Sequence, residues 1–136
     1  MSVTNIDHVA ITTGDLDAFL RFYARVLGAV VEDAFAIDGR LSVVQLRVGG
    51  AMLNIHRQGH SFPLVARVPT PGAVDICFRW GAPIADAVAM LAREGVSIIE
   101  GPARRVCSDG TVGQSVYFSD CDGNLVELLS TVQEGQ

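Results

Sequence analysis

Asn124-Leu125-Val126-Glu127-Leu128-Leu129-Ser130 sets a single carboxylate, Glu127, inside an otherwise almost wholly apolar run. A strand sends alternate side chains to opposite faces, so Val126 and Leu128 share one face while Leu125, Glu127 and Leu129 share the other. A carboxylate in such a place needs a charge partner, a raised pKa or a metal ion. The preceding Asp120-Cys121-Asp122-Gly123-Asn124 is rich in turn formers, which makes the run the second arm of a hairpin whose first arm is Ser115 to Phe118. The fold follows from asking which residues face Glu127.

Upstream, Ile6 to Thr12 reads as a strand with Ile6, His8 and Ala10 on one face. Thr13-Gly14-Asp15 then starts a helix carrying Leu16, Phe19, Leu20, Tyr23, Val26 and Leu27 at amphipathic spacing, and Gly28 stops it. Strands are expected at Leu41 to Val48 and Ala51 to His56 around a Gly49-Gly50 turn, with a weaker one near Val30. Arg57 to Gly72, with Pro63, Pro69 and Pro71, reads as a crossing linker. The order then repeats: a strand at Val74 to Trp80, a helix entered at Pro83 and ended by Gly95, a Gly- and Arg-containing loop from Gly101 to Gln114, and the hairpin.

The two halves superpose. His8 falls on Asp75, Gly28 on Gly95 and Val31 on Ile98, each pair 67 positions apart. Val44-Gln45-Leu46 falls on Val116-Tyr117-Phe118 and, after one inserted residue, Asn54 falls on Glu127. Repetition of this length means two copies of one supersecondary unit. The expected fold class is α+β: two βαββ modules, about residues 4–57 and 73–131 of a single domain, forming curved mixed sheets with helices outside and a cup inside.

His8, Asp75, Asn54 and Glu127 are then equivalent in pairs, and His56 shares the face of Asn54. Imidazole and carboxylate suit divalent Zn, Ni, Fe or Mn, so His8, His56, Asp75 and Glu127 form a candidate metal set. His8, His56 and Glu127 alone would make a two-His, one-carboxylate set. A duller alternative keeps His8 as a hydrogen-bonded strand residue and pairs Asp75 with Arg47 or Arg79.

The remaining composition bounds the function. The 136 residues are 49% hydrophobic with a net charge of -5, which argues against nucleic acid or an anionic membrane as partner. No apolar run approaches the roughly 20 residues of a membrane helix. Three cysteines, Cys77, Cys107 and Cys121, form no C-x-x-C pair and read as reduced thiols. With no secretory signal in Met-Ser-Val-Thr-Asn-Ile-Asp-His, a cytoplasmic protein is expected.

Ile6-Asp7-His8-Val9, Phe22-Tyr23-x-x-Val26-Leu27-Gly28 and Ser115-Val116-Tyr117-Phe118-x-Asp120-x-Asp122-Gly123-Asn124-Leu125-Val126-Glu127 resemble the vicinal oxygen chelate superfamily, which includes glyoxalase I, extradiol dioxygenases and the fosfomycin and bleomycin resistance proteins. Leu53-Asn54-Ile55-His56, Pro69-Thr70-Pro71-Gly72, Asp75-Ile76-Cys77-Phe78 and Glu100-Gly101-Pro102 further resemble the branch of glyoxalase domain-containing protein 5 and its virulence-associated relatives. The resemblance implies a metal-dependent enzyme, lyase/isomerase or extradiol dioxygenase-like, whose divalent ion chelates vicinal oxygens of a small-molecule substrate. It also implies a homodimer. His8 and Glu127 match the family's ligands. Asp75 stands where glyoxalase I and the dioxygenases have His, and Asn54 where glyoxalase I has Glu. Glu127 is the implied proton-moving group, and Tyr117 a donor to bound oxygen or else a cup-lining aromatic. His60, Arg104 and Arg105 fall in the expected loops, where they would meet an anionic substrate or simply be solvated. The alternative from another class is a metal-free sequestration protein of the bleomycin-resistance type.

Overall fold

Asp15 closes the first turn of α1 (Leu16–Leu27) by accepting a 3.0 Å hydrogen bond from the Ala18 backbone N–H, which satisfies one of the otherwise orphaned donors of a helix start. Gly28 ends it at φ 66°, a left-handed cap, with its N–H on the Ala24 carbonyl at 3.1 Å. Leu16, Phe19, Tyr23 and Val26 are buried on one face of the helix. Each contributes about 1.5–3 kcal/mol by leaving water, far more than propensity alone gives a three-turn helix. The structure is a computed structural model and describes residues 2–60 and 62–135.

The chain divides into two compact units, Met1–Gly72 and Ala73–Gln136. In the first, β1 (Val9–Thr13), β2 (Val30–Ile37), β3 (Arg40–Val48) and β4 (Ala51–Arg57) lie in the order β1-β4-β3-β2. The second has β5 (Asp75–Arg79), α2 (Ile84–Arg93), β6 (Glu100–Val106), β7 (Val112–Ser119) and β8 (Leu125–Ser130), in the order β5-β8-β7-β6. The first strand of each module runs parallel to the last, and the other pairings are antiparallel. A parallel pair needs a crossover, which α1 supplies in one module and α2 in the other.

The mixed α+β class is thus as expected, but each module is βαβββ rather than βαββ. The weak strand near Val30 is the eight-residue edge strand β2, and the expected loop from Gly101 to Gln114 contains β6 and the start of β7. Both additions are edge strands. One side faces a neighbour and almost every residue is exposed, so neither carries the alternation of apolar and polar residues that marks a half-buried strand. Pro102 and the register shift between Glu100 and Ala103 are further edge features. Gly101, at φ 106°, has no room for a Cβ, which would collide with the Ser115 carbonyl oxygen. At the amino end the strand is shorter than expected: it opens at Val9, and Ile6 is exposed.

Backbone registers reproduce the sequence repeat. Asn54 of β4 sits between Ala10 of β1 and Gln45 of β3, and Glu127 of β8 sits between Cys77 of β5 and Tyr117 of β7. Opposite faces of the same strands make the cores: Ile11, Val44, Leu46, Leu53 and Ile55 in one module, and Val116, Phe118, Val126 and Leu128 in the other. Among the described residues no helix is long and apolar enough to cross a membrane.

The turn into β8 is held by Asp120, which is buried and accepts from the backbone N–H groups of Asp122 and Asn124 at 2.9 Å and from Asn124 Nδ2 at 2.8 Å. Asn124 Oδ1 in turn accepts from the Val74 N–H at 3.0 Å, tying the turn to the start of β5. Asp120→Ala leaves these donors unanswered and is expected to lower the urea-unfolding free energy by about 2–5 kcal/mol; a loss below about 0.5 kcal/mol, the level of an ordinary surface change, would remove the turn from the account.

Candidate functional site

In the second module a polar row crosses the sheet on the face opposite α2. Cys77, Glu127 and Tyr117 stand side by side on β5, β8 and β7. The wholly buried Ser115, two residues before Tyr117 and so on the same face, donates its hydroxyl to Glu127 Oε2 at 2.6 Å. This occupies one carboxylate oxygen and fixes the half-buried Glu127; no ion pair reaches Glu127 among the described residues. Arg105 Nε donates to the Tyr117 hydroxyl at 2.7 Å, while Arg105 Nη2 reaches Glu100 at 3.2 Å. With its oxygen taken by Arg105 as acceptor, Tyr117 keeps its own O–H to give. Desolvation raises the Tyr117 pKa, Arg105 opposes the rise, and Glu127 adds to it by its charge and as a hydrogen-bond acceptor for the O–H. Cys77 is pushed up to about 11, first by partial desolvation and then by the charge of Glu127.

The first module answers with different chemistry at the equivalent places. Asn54, the counterpart of Glu127, has a buried Oδ1 that finds no hydrogen bond among the described residues. His8 lies one residue before β1, exposed, with Nδ1 2.8 Å from Asp7 Oδ2. A carboxylate accepts, so His8 Nδ1 carries the proton and a neutral ring presents the Nε2 lone pair; this is the orientation in which imidazole binds metals. His56, half-buried on β4 beside Thr12 and Val43, has Nδ1 3.2 Å from His60 Nε2. Its pKa is lowered, first by burial and then by the neighbouring His60 and His8.

Register sets limits on which of these residues meet. Val9 pairs with Leu53 and Thr12 with His56, so the backbone positions of His8 and His56 are four residues apart along neighbouring strands, roughly 13 Å at the rise of a strand, although their side chains reach close enough for His8 to lower the His56 pKa. Asp75 pairs with Leu125 and is exposed, two residues along β5 from the neighbour of Glu127. The structural pairings considered for it are taken elsewhere: Arg47 binds Glu32 through Nε at 2.8 Å and Nη2 at 3.2 Å, and Arg79 binds Thr131. Among the described residues no three His, Cys, Asp or Glu side chains gather in metal-holding proximity. The four candidates divide evenly, His8 and His56 in one unit, Asp75 and Glu127 in the other.

Sequence reasoning passed over Ser115 and Asp7, and it placed Arg104 and Arg105 in a loop when both belong to β6. Ser115 was legible in principle, since it shares the Tyr117 face one diagonal step from Glu127. Cys107 is buried in the turn after β6, its backbone N–H on the Thr111 carbonyl. A cleft of about 460 Å³ in the second unit, lined by Pro83, Ile84, Arg104 and Gln133 among others, contains none of the four candidate metal ligands; ligand chemistry is better read from the polar row.

Comparison with known proteins agrees with this arrangement of elements. A sequence-family model described as "Glyoxalase/Bleomycin resistance protein/Dioxygenase superfamily" matches residues 5–128. The virulence protein STM3117 of Salmonella typhimurium is 37% identical over 132 residues, covering 97% of this chain and 88% of that one. Its crystal structure superposes with a TM-score of 0.83, over 97% of this chain and 100% of that one. The glyoxalase domain-containing protein RDO1 of Mycosarcoma maydis is 38% identical over 130 residues, 96% of this chain and 70% of that one. More distant structures, FosX from Listeria monocytogenes complexed with Mn(II) (18% identity, TM-score 0.63, 93% of this chain and 90% of that one) and lactoylglutathione lyase from Agrobacterium tumefaciens (20%, 0.70, 100% of both), share the fold.

The polar row makes Cys77 a slow thiol. With its pKa at about 11, site-resolved alkylation by iodoacetamide should rise tenfold per pH unit from neutrality to beyond pH 10, because only the thiolate reacts. In Glu127→Gln the same profile should shift to lower pH while staying above an ordinary thiol, since desolvation persists. A plateau near pH 9 in the unaltered protein would show that neither desolvation nor Glu127 raises the Cys77 thiol.

Proposed function

Because the chain belongs to the glyoxalase/bleomycin resistance protein/dioxygenase superfamily, we propose that it is a metal-dependent enzyme acting on a small molecule with adjacent oxygens. His8 and Glu127 would hold the ion, and Asp75, exposed on the same face as Glu127, is the further candidate ligand. The observation that carries this reading is the pair of supported donors. Asp7 holds His8 Nδ1 and Ser115 holds Glu127 Oε2, with Cys77 and Tyr117 also beside the Glu127 carboxylate, so His8 Nε2 and Glu127 Oε1 are oriented by outer partners in the manner of metal ligands. The donor set, imidazole nitrogen with carboxylate oxygen, fits Zn, Ni, Fe(II) or Mn. Bound there, such an ion supplies Lewis-acid polarisation of substrate oxygens.

The chain's own residues supply the rest. Tyr117, its oxygen held by Arg105, offers its O–H to a substrate oxygen and keeps the proton because its pKa is raised. Glu127 is the carboxylate placed to accept a proton. Asn54 at the equivalent position of the first module has no such capacity, so any proton transfer is one-sided: the acid and base work falls to the second module. FosX is described in complex with Mn(II); that a divalent ion serves here too is part of the proposal.

Metal-free protein should gain thermal stability from at least one of Zn, Ni, Mn or Fe(II), by about 2.7 kcal/mol at a hundredfold excess over Kd. Glu127→Gln and His8→Gln should each abolish the gain, and Ser115→Ala should weaken metal affinity by about 10- to 100-fold. No gain with any of the four ions would instead favour metal-free sequestration, and an undiminished gain in Glu127→Gln would refute the ligand assignment.

A further inference from the structure

Two histidines of the first unit, His8 and His56, are held in opposite states. Asp7 draws the proton of His8 to Nδ1. For His56 the constraint begins at the backbone: the Phe62 N–H lies 3.0 Å from His60 Nδ1. A backbone N–H can only donate, so His60 Nδ1 must present its lone pair, and a neutral His60 then carries its proton on Nε2. That Nε2–H faces His56 Nδ1 at 3.2 Å, which must therefore accept, and the neutral His56 ring carries its own proton on Nε2. This Nε2–H has no hydrogen-bond partner among the described residues.

We propose that His56 is a neutral hydrogen-bond donor to a substrate oxygen rather than a metal ligand, and that His60 is the positioning residue that fixes it so. The inference rests on the enzymatic reading above and names a substrate-binding group for it. A metal binds an imidazole lone pair, and the Phe62–His60–His56 chain leaves none on the His56 atom free to face a ligand. Its lowered pKa, caused first by burial, keeps the ring neutral at physiological pH, the condition under which imidazole polarises an oxygen without delivering a full charge. Two residues earlier on the same face of β4 lies the unpartnered buried acceptor Asn54 Oδ1, roughly 7 Å away along the strand. The face therefore suits a ligand with an acceptor oxygen for His56 and a hydroxyl for Asn54, such as a hydroxylated carbonyl or carboxylate compound.

The test uses full-length metal-free protein labelled with ¹⁵N and long-range ¹H–¹⁵N correlations of its three imidazoles, assigned through His56→Phe and His60→Phe. The expected spectrum has His56 and His60 both protonated on Nε2 and His8 on Nδ1, with His56 averaging between tautomers once His60 is Phe. A His56 protonated on Nδ1, or a tautomer unmoved in His60→Phe, overturns the proposal. Zn titration separates it from the metal reading: His56→Phe should bind within about twofold of the unaltered protein, whereas loss of a ligand or its outer partner costs about tenfold or more. A tenfold loss in His56→Phe overturns the donor role, while unchanged binding in His8→Gln and Glu127→Gln overturns the metal assignment alone. Glycolate, which carries both a carboxylate and a hydroxyl, should move the His56 Nε2 proton saturably in the Zn-loaded protein; no movement overturns the substrate contact.

Discussion

A carboxylate fixed in a central strand, with one oxygen held by a buried hydroxyl and no ion pair among the described residues, is the constraint on which the rest of this molecule depends. Ser115 holds Glu127 at 2.6 Å. Cys77 rises to about 11 and Tyr117 also rises, each first through desolvation and then with a contribution from Glu127. A half-buried charge left in this state lowers stability. Retaining it makes sense where a ligand completes it, which is the reading proposed for this face.

The duplicated architecture explains where that charge sits. Both sheets share one strand order and one register, so a residue in the middle of the last strand is always flanked by the first strand on one side and the hairpin partner on the other. Duplication supplies two identical seats, and the sequence fills them differently. One holds Cys77, Glu127 and Tyr117; the other holds Ala10, Asn54 and Gln45, which cannot titrate in the physiological range. The histidines follow the same division of labour, His8 offering a lone pair and His56 a proton, each set by the single neighbour on Nδ1.

Much of this was legible before any coordinates. The helix over Leu16–Leu27 and its Gly28 cap, the turn at Asp120–Asn124 and the equivalence of Asn54 with Glu127 all rest on strong signals: apolar spacing, a left-handed glycine and a repeat broken by one inserted residue between the hairpins. The edge strands were not, because β2 and β6 bury almost nothing and a strand that buries nothing writes no pattern. Missing β6 also hid Arg105 from Tyr117. Candidate residues were legible by type and face, but their protonation was not. Whether a histidine offers a lone pair or a proton depends on contacts such as Phe62 N–H to His60, made through a linker whose conformation no periodicity encodes.

The most direct measurement of the central claim is anomalous diffraction from crystals of the full chain grown with Zn or Mn, which locates the ion independently of any activity. The account predicts a peak about 2.0–2.2 Å from Glu127 Oε1 and from a His8 Nε2, of the same chain or of a second copy, with Ser115 still on Oε2. A peak bound by His56, or a fully occupied ion elsewhere with Glu127 bare, would contradict it.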